Sequence, residues 1–267
     1  IVLCFNFNID ENRLNDLRKL AHDYNRNTRV DCWMLDNLAI ELHRHHRDLV
    51  NEYLGLPTDT GQIVSIKRFI EEYNRASQGI SPPLDNEFVH RQDEMNEIKQ
   101  GINNSDFVII HGKSGVGKTK LAIASIKDFI IEHPHFNAYC VSNKGHNLLD
   151  DLYQYMDKDE DYILFVDDAN RIDVFKQILG FYNSLRENEL KIIITVRDYA
   201  RDYIELLCQS YDPEYVEVEK FDDEQIKDMI EAEPFKILNP DYQREILRIS
   251  DGNPKLAIMT SLLAKVE

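Results

Sequence analysis

Apolar positions along this 267-residue chain follow one rhythm before residue 88 and another after it. The opening run IVLCFNFNI predicts a strand over residues 1–9, followed by a helix from about Asn12 to Tyr24. On that helix Leu14, Leu17, Leu20, Ala21 and Tyr24 share one face. A second strand over Thr28–Trp33 leads into a helix striped by Leu35, Leu38, Leu42, Leu49 and Tyr53 and closed by Gly55 and Pro57. A strand–helix–strand–helix unit of this size is too small to stand alone. Residues 1–60 are therefore expected to be the tail of a domain that begins upstream. Residues 61–87 mix a short helical pattern with GISPPLDNE and are expected to form a linker.

From Phe88 onward apolar strands and helical stretches alternate. Strands are expected at 106–111, 136–142, 162–166, 190–196 and 214–218. Such alternation implies an α/β fold whose sheet is mostly parallel, doubly wound and covered on both faces. Residues 88–218 form that domain. Beyond residue 218 the chain turns helical, with helices expected over Asp222–Ala232, Pro240–Ile249 and Pro254–Val266, so residues 219–267 form a second, smaller domain.

Composition narrows the function classes. Hydrophobic residues make up 43% and charged residues 30%, enough for a core and a soluble surface. No apolar run is long enough to cross a bilayer as a helix, and no signal peptide is visible, so a cytoplasmic location is expected. The chain lacks an initiator Met and reads as a fragment of a longer protein. Its net charge of −17 repels phosphate backbones and argues against a broad nucleic-acid surface. Cys4, Cys32, Cys140 and Cys208 show no C-x-x-C spacing and read as reduced thiols, not a zinc site or a disulfide frame.

The strand at 106–111 runs straight into Gly112-Lys113-Ser114-Gly115-Val116-Gly117-Lys118-Thr119 and then a helix. This is G-x-x-x-x-G-K-S/T in its strand–loop–helix setting. Glycines let backbone N–H groups turn inward to cradle phosphate, and the helix N-terminus adds its positive dipole end. Gly112, Ser114, Gly115, Val116, Gly117, Lys118, Thr119 and Lys120 are the expected nucleotide-binding set. Within it, Lys118 reaches the β- and γ-phosphates and the Thr119 hydroxyl ligates magnesium. A second apolar strand ends in Asp167-Asp168. Paired acids at a core edge are costly unless paired or metal-bound. Asp167 is expected to hold magnesium or its water, and Asp168 to orient the attacking water or act as base. A third strand ends in Thr195-Val196-Arg197. Residues two apart on a strand face one side, so Thr195 and Arg197 both address the phosphates if this strand lies beside the phosphate-loop strand. The competing reading makes Arg197 a surface residue paired with Asp198 or Asp202.

Together these elements resemble the STAND class of P-loop ATPases, switch proteins related to NB-ARC and AAA+ ATPases, over roughly residues 84–267. Phe88-Val89-His90-Arg91 resembles the class's short motif ahead of the P-loop, with His90 in place of glycine and Gln92 in place of the acid; Val89 and Arg91 would pack near adenine. Gly252-Asn253-Pro254-Lys255-Leu256-Ala257 resembles the G-x-P motif of the helical lid, with Pro254 near the base. The resemblance implies a strand order of 5-1-4-3-2, ATP or ADP with Mg²⁺ as cofactors, and Lys118, Thr195, Asp168 and Arg197 as catalytic residues. It also implies self-oligomerisation in the ATP state, an activating ligand acting through a C-terminal region, and control of an N-terminal effector. An AAA+ motor or loader working in a ring, with Arg244 or Arg248 as a lid arginine, is the alternative. A scaffold that uses nucleotide only structurally is a third.

The N-terminal pattern resembles the tail of restriction-endonuclease-like domains that precede STAND modules in bacterial antiphage proteins. Residues 1–80 contain no E-x-K or Q-x-K, so no nuclease site is assigned here. His43, His45 and His46 fall on the second N-terminal helix, where a core or interface role outweighs a metal site. His111, next to Gly112, is expected to pack under the phosphate loop.

Overall fold

The computed structural model describes residues 2–45, 50, 53–55, 61–77, 84, 90–142, 144–157, 159–169, 175–184 and 188–264. The chain divides into two compact units, Ile1–Thr60 and Gly61–Glu267. No helix among the described residues is long and apolar enough to cross a membrane.

In the first unit the strands shrink to three residues each. Strand β1 (Val2–Cys4) pairs in parallel with β2 (Asp31–Trp33), Leu3 opposite Cys32. Helix α1 (Glu11–Tyr24) begins at Asp10, whose carboxylate accepts the Arg13 N–H at 3.0 Å, and it buries no residue fully. Helix α2 spans Leu35–His45. Leu49 and His46 lie outside the described residues, as do the side chains of His43 and His45. Among the described residues no group of three His, Cys, Asp or Glu is placed to hold a metal.

The second unit is built on a six-stranded sheet. Its strands are β3 (Ile63–Ser65), β4 (Phe107–Gly112), β5 (Phe136–Val141), β6 (Asp161–Val166), β7 (Leu190–Arg197) and β8 (Glu214–Glu217), in the order β3-β5-β6-β7-β4-β8. The five strands after β3 are parallel to one another. Counted from the phosphate-loop strand β4, they give the expected order 5-1-4-3-2.

The linker reading of residues 61–87 needs correction. Residues 63–65 form β3, which pairs antiparallel with β5, Ile63 opposite Val141. Helix α3 (Ile66–Ser77) follows. Ile66, Phe69, Ile70 and Tyr73 recur at helical spacing, and Phe69 and Ile70 are buried, so this segment joins the core. Of GISPPLDNE only Leu84 is described, and it is buried.

Side chains on the parallel strands alternate between two packed faces. Val108, Ile110, Ile163, Phe165 and Ile193 meet α3, α4 (Gln92–Asn104) and α5 (Lys118–Glu132). Phe107, Ile109, Leu164, Ile192 and Ile194 meet α6 (Leu148–Tyr155), α7 (Phe175–Tyr182) and α8 (Arg201–Cys208). The C-terminal helices α9 (Asp223–Glu231), α10 (Pro240–Ser250) and α11 (Pro254–Ala264) close on a separate apolar cluster of Phe221, Ile226, Ile230, Ile246 and Ala257. Asp222 and Gln225 start α9 with a reciprocal capping box, and Pro240 occupies the first turn of α10.

Candidate nucleotide-binding site

Strand β4 is buried along its whole length and delivers the chain to Gly112 at the sheet's C-terminal edge. Gly112, Gly115 and Gly117 all adopt positive φ, at 144°, 85° and 101°. At Gly112 space forbids a side chain as well, because a β-carbon would lie 2.4 Å from the Val218 carbonyl oxygen. Gly117 opens α5, so the loop feeds a helix N-terminus. Lys118, the first residue of α5, is buried, and its Nζ donates to the Gly112 and Lys113 carbonyls at 2.7 and 2.8 Å. Burial lowers its pKa, opposed by the nearby Asp168 and Asp198 carboxylates. Val116 is buried, while Thr119 and Lys120 are half-buried on the first turn of α5.

Three elements converge on one carboxylate oxygen. The Thr119 hydroxyl from α5 donates to Asp167 Oδ1 at 2.8 Å, and the Thr195 hydroxyl from β7 donates to the same oxygen at 2.7 Å. Asp167 follows β6 in the register of Ile163 and Phe165, so it faces α5. Burial raises the Asp167 pKa, and the two hydroxyls partly offset this. A hydroxyl and a carboxylate oxygen side by side at the end of the phosphate loop suit a hard divalent cation such as magnesium.

Arg197 and Thr195 sit on β7 next to β4, Arg197 opposite Gly112 and Thr195 opposite Ile110. The Arg197 partner is neither Asp198 nor Asp202. Its Nε donates to Asp168 Oδ1 at 3.1 Å and its Nη2 to Asp168 Oδ2 at 2.6 Å, a two-pronged ion pair. Asp168 is also held by its backbone N–H, which donates to the Thr195 hydroxyl at 2.9 Å, and its φ of 48° is unusual for a residue with a side chain. Strand register alone would set Asp168 level with Val196, on the face away from Arg197. The positive φ of Asp168, just past the end of β6, breaks that alternation and lets its carboxylate meet Arg197 on the neighbouring strand.

The lid reaches this loop through Asn253. Its Nδ2 donates to the Ser114 carbonyl at 2.8 Å, while its Oδ1 accepts the Lys255 and Leu256 N–H groups and caps α11. The Lys255 N–H also donates to the Gly115 carbonyl at 3.3 Å. Pro254 is buried at the start of α11. Gly252, at φ 73°, lets the chain pass Phe221, where a β-carbon would lie 2.3 Å from the Phe221 carbonyl oxygen.

Residues 88–248, more than half of the chain, match the family described as novel STAND NTPase 3. The chain belongs to that family. Among solved structures this STAND NTPase is similar to the Thermotoga maritima RuvB Holliday junction branch migration motor, at 14% identity and a TM-score of 0.51 over 70% of this chain and 65% of that one. It is also similar to the Aeropyrum pernix ORC1 protein in complex with DNA, at 12% identity and a TM-score of 0.52 over 76% and 65% of the two chains. It thus spans 65% of the length of either, and likeness at such identity shows the fold alone. No curated protein matches it in sequence.

Other residues singled out in the sequence of the STAND NTPase lie near the loop, on the lid or beyond the described residues. Val89 lies outside the described residues. Arg91 is buried and ties the phosphate loop to the root of the lid: its Nη2 donates to the Glu219 carbonyl at 2.6 Å and to the Val116 carbonyl at 3.5 Å, and its Nη1 pairs with Glu94. Its guanidinium lies 4.3 Å from the centre of the Phe221 ring. His111 alternates onto the face away from α5, toward the charges of Arg201 and Glu217, and burial lowers its pKa. On α10, Arg244 and Arg248 pair with Asp241 and Glu245 on the exposed side.

Sequence reasoning missed contacts between distant residues, the Arg91 bracket among them. Asn253 occupied the unspecified place between Gly252 and Pro254. The Arg197–Asp168 pair needed strand adjacency, although the spacing of Thr195 and Arg197 already put both on one side.

Proposed function

We propose that this chain is an ATP-binding switch that hydrolyses its nucleotide slowly with magnesium and whose nucleotide state governs self-assembly. The observation that carries this reading is the Asn253–Ser114 hydrogen bond at 2.8 Å, which joins the phosphate loop to the helical lid. Any shift of the loop around a triphosphate would be felt directly at the start of α11.

The residues suggest a sequence of exchanges. Lys118 would trade the Gly112 and Lys113 carbonyls for β- and γ-phosphate oxygens. Thr119 and Asp167 would hold magnesium, which neutralises phosphate charge when bound. Arg197 occupies both oxygens of Asp168. A γ-phosphate would compete for that guanidinium and leave Asp168 able to orient or deprotonate water. Slow turnover follows from this restraint and from the short reach of aspartate.

The family supports the wider reading. An activating ligand would act through a C-terminal region, residues 1–60 would belong to an effector, and the setting would be cytoplasmic defence in a bacterium.

Calorimetry of ATP and ADP binding tests the site. Lys118→Ala and Asp167→Ala should each weaken binding in magnesium by more than about tenfold, roughly 1.4 kcal/mol. If both variants bind like the parent, the site assignment is wrong. Steady turnover well above ~1 s⁻¹ with no added partner would instead point to a motor.

A further inference from the structure

Tyr73 belongs to none of the phosphate-site motifs. It lies on α3, which covers the same sheet face as the phosphate-loop helix α5. Phe69 of α3 meets Phe165 of β6 edge-on, with ring centres 5.7 Å apart. Tyr73 is one helical turn beyond Phe69, and Asp167 is two strand residues beyond Phe165. One turn advances about 5.4 Å and two strand residues advance about 6.6 Å.

The two steps run the same way. Glu72, beside Tyr73, accepts the Ser142 hydroxyl at 2.9 Å, and Ser142 directly follows β5 at the sheet's phosphate-loop edge. Tyr73 therefore draws level with Asp167. Burial raises the pKa of its phenol, and the Asp167 and Asp168 carboxylates raise it further while Arg197 opposes them.

Both partners have hydrogen-bonding capacity to spare. Among the described residues the half-buried Tyr73 hydroxyl makes no hydrogen bond, and Asp167 Oδ2 accepts none, since both threonine hydroxyls go to Oδ1. A half-buried phenol normally finds a partner.

We propose that Tyr73 is a positioning residue of the magnesium–nucleotide site, its hydroxyl holding the water beside the Asp167 carboxylate when metal and nucleotide are bound. The proposal rests on the nucleotide-site reading above. Partners that orient metal ligands commonly matter about tenfold or more in metal affinity.

The test is Tyr73→Phe in the whole chain, which keeps the ring and removes the hydroxyl. ATP affinity is measured by calorimetry with Mg²⁺ and again with EDTA, alongside the melting temperature. The expected result is affinity about tenfold weaker in Mg²⁺, with metal-free affinity and melting unchanged. Equal affinity to the parent in Mg²⁺ overturns the proposal, as does an equal loss with and without the metal, which would mean a packing role. Lys118→Ala serves as the control. If it binds ATP like the parent, the site reading itself has failed, whatever Tyr73→Phe does.

Discussion

Helices α1 and α5 are near twins in length, but α1 carries a single apolar stripe where α5 is apolar on most of its sides, and they end in different states. Along α1, Leu14, Leu17 and Ala21 are half-buried, while Leu20 is 72% exposed. Along α5, Leu121, Ala122, Ile123, Ile126 and Phe129 are all buried. The difference lies in this apolar content and in what stands behind each helix. Within its own unit α1 has two three-residue strands, whereas α5 faces β4, β5, β6 and β7 and is flanked by α3 and α4. An amphipathic stripe therefore announces a face to be covered; the layers around it decide whether it becomes core.

Making one substitution on both helices exposes that contrast, and its larger half comes first. Leu121→Ala should destabilise the second unit by about 3 kcal/mol, through lost burial and a residual cavity. Chemical denaturation would give the loss, and hydrogen exchange read by mass spectrometry would locate it. A change under about 1 kcal/mol would mean that the α5 side of the sheet is loosely packed.

Ligand binding sharpens the same comparison. Nucleotide at a hundred times its dissociation constant should stabilise the protein by about 2.7 kcal/mol. Exchange protection should rise across residues 61–264, with the first unit unchanged. Equal protection in residues 2–45 would show that the two units are energetically coupled.

Much of this site was legible in the sequence because its parts are local. Gly112 to Thr119 carry their turn, helix start and hydroxyl within eight residues, and Asp167-Asp168 end a plainly apolar strand. The family resemblance supplied the strand order. What escaped depended on distant partners. Ser114 and Asn253 are 139 residues apart, and no periodicity relates them. The Arg91 bracket to Glu219 spans 128 residues. Strand β3 was missed because three residues give too little alternation to register, and α3 was discounted because the Gly-Ile-Ser-Pro-Pro stretch beyond it suggested a linker.

A subtler effect is expected at Asp167. Burial raises its pKa above the ordinary 3.8, so its charged form is disfavoured in the folded protein. A carboxylate of this kind leaves stability intact below the unfolded value and erodes it as pH rises through the folded value. Asp167→Asn keeps an oxygen for Thr119 and Thr195 while removing the charge. At pH 7 without nucleotide it should raise the stability of the second unit by about 1 kcal/mol, and the gain should shrink as pH falls toward 4. The same variant should lose magnesium-dependent ATP binding. Lower stability at pH 7 would mean that the hydroxyl bonds outweigh the burial of charge.

The smallest effect should come from the matching change on α1. Leu20→Ala removes the same atoms as Leu121→Ala, but they are already in water in the unit described here, and alanine is the better helix former. Stability should move by no more than about 0.5 kcal/mol in either direction. A loss near that of Leu121→Ala would require a partner surface over α1, and its origin could then be traced. A loss that grows with protein concentration would place that surface on a second copy, because only association depends on concentration. A loss independent of concentration would place it within the same polypeptide, making the exposed stripe of α1 half of an intramolecular interface.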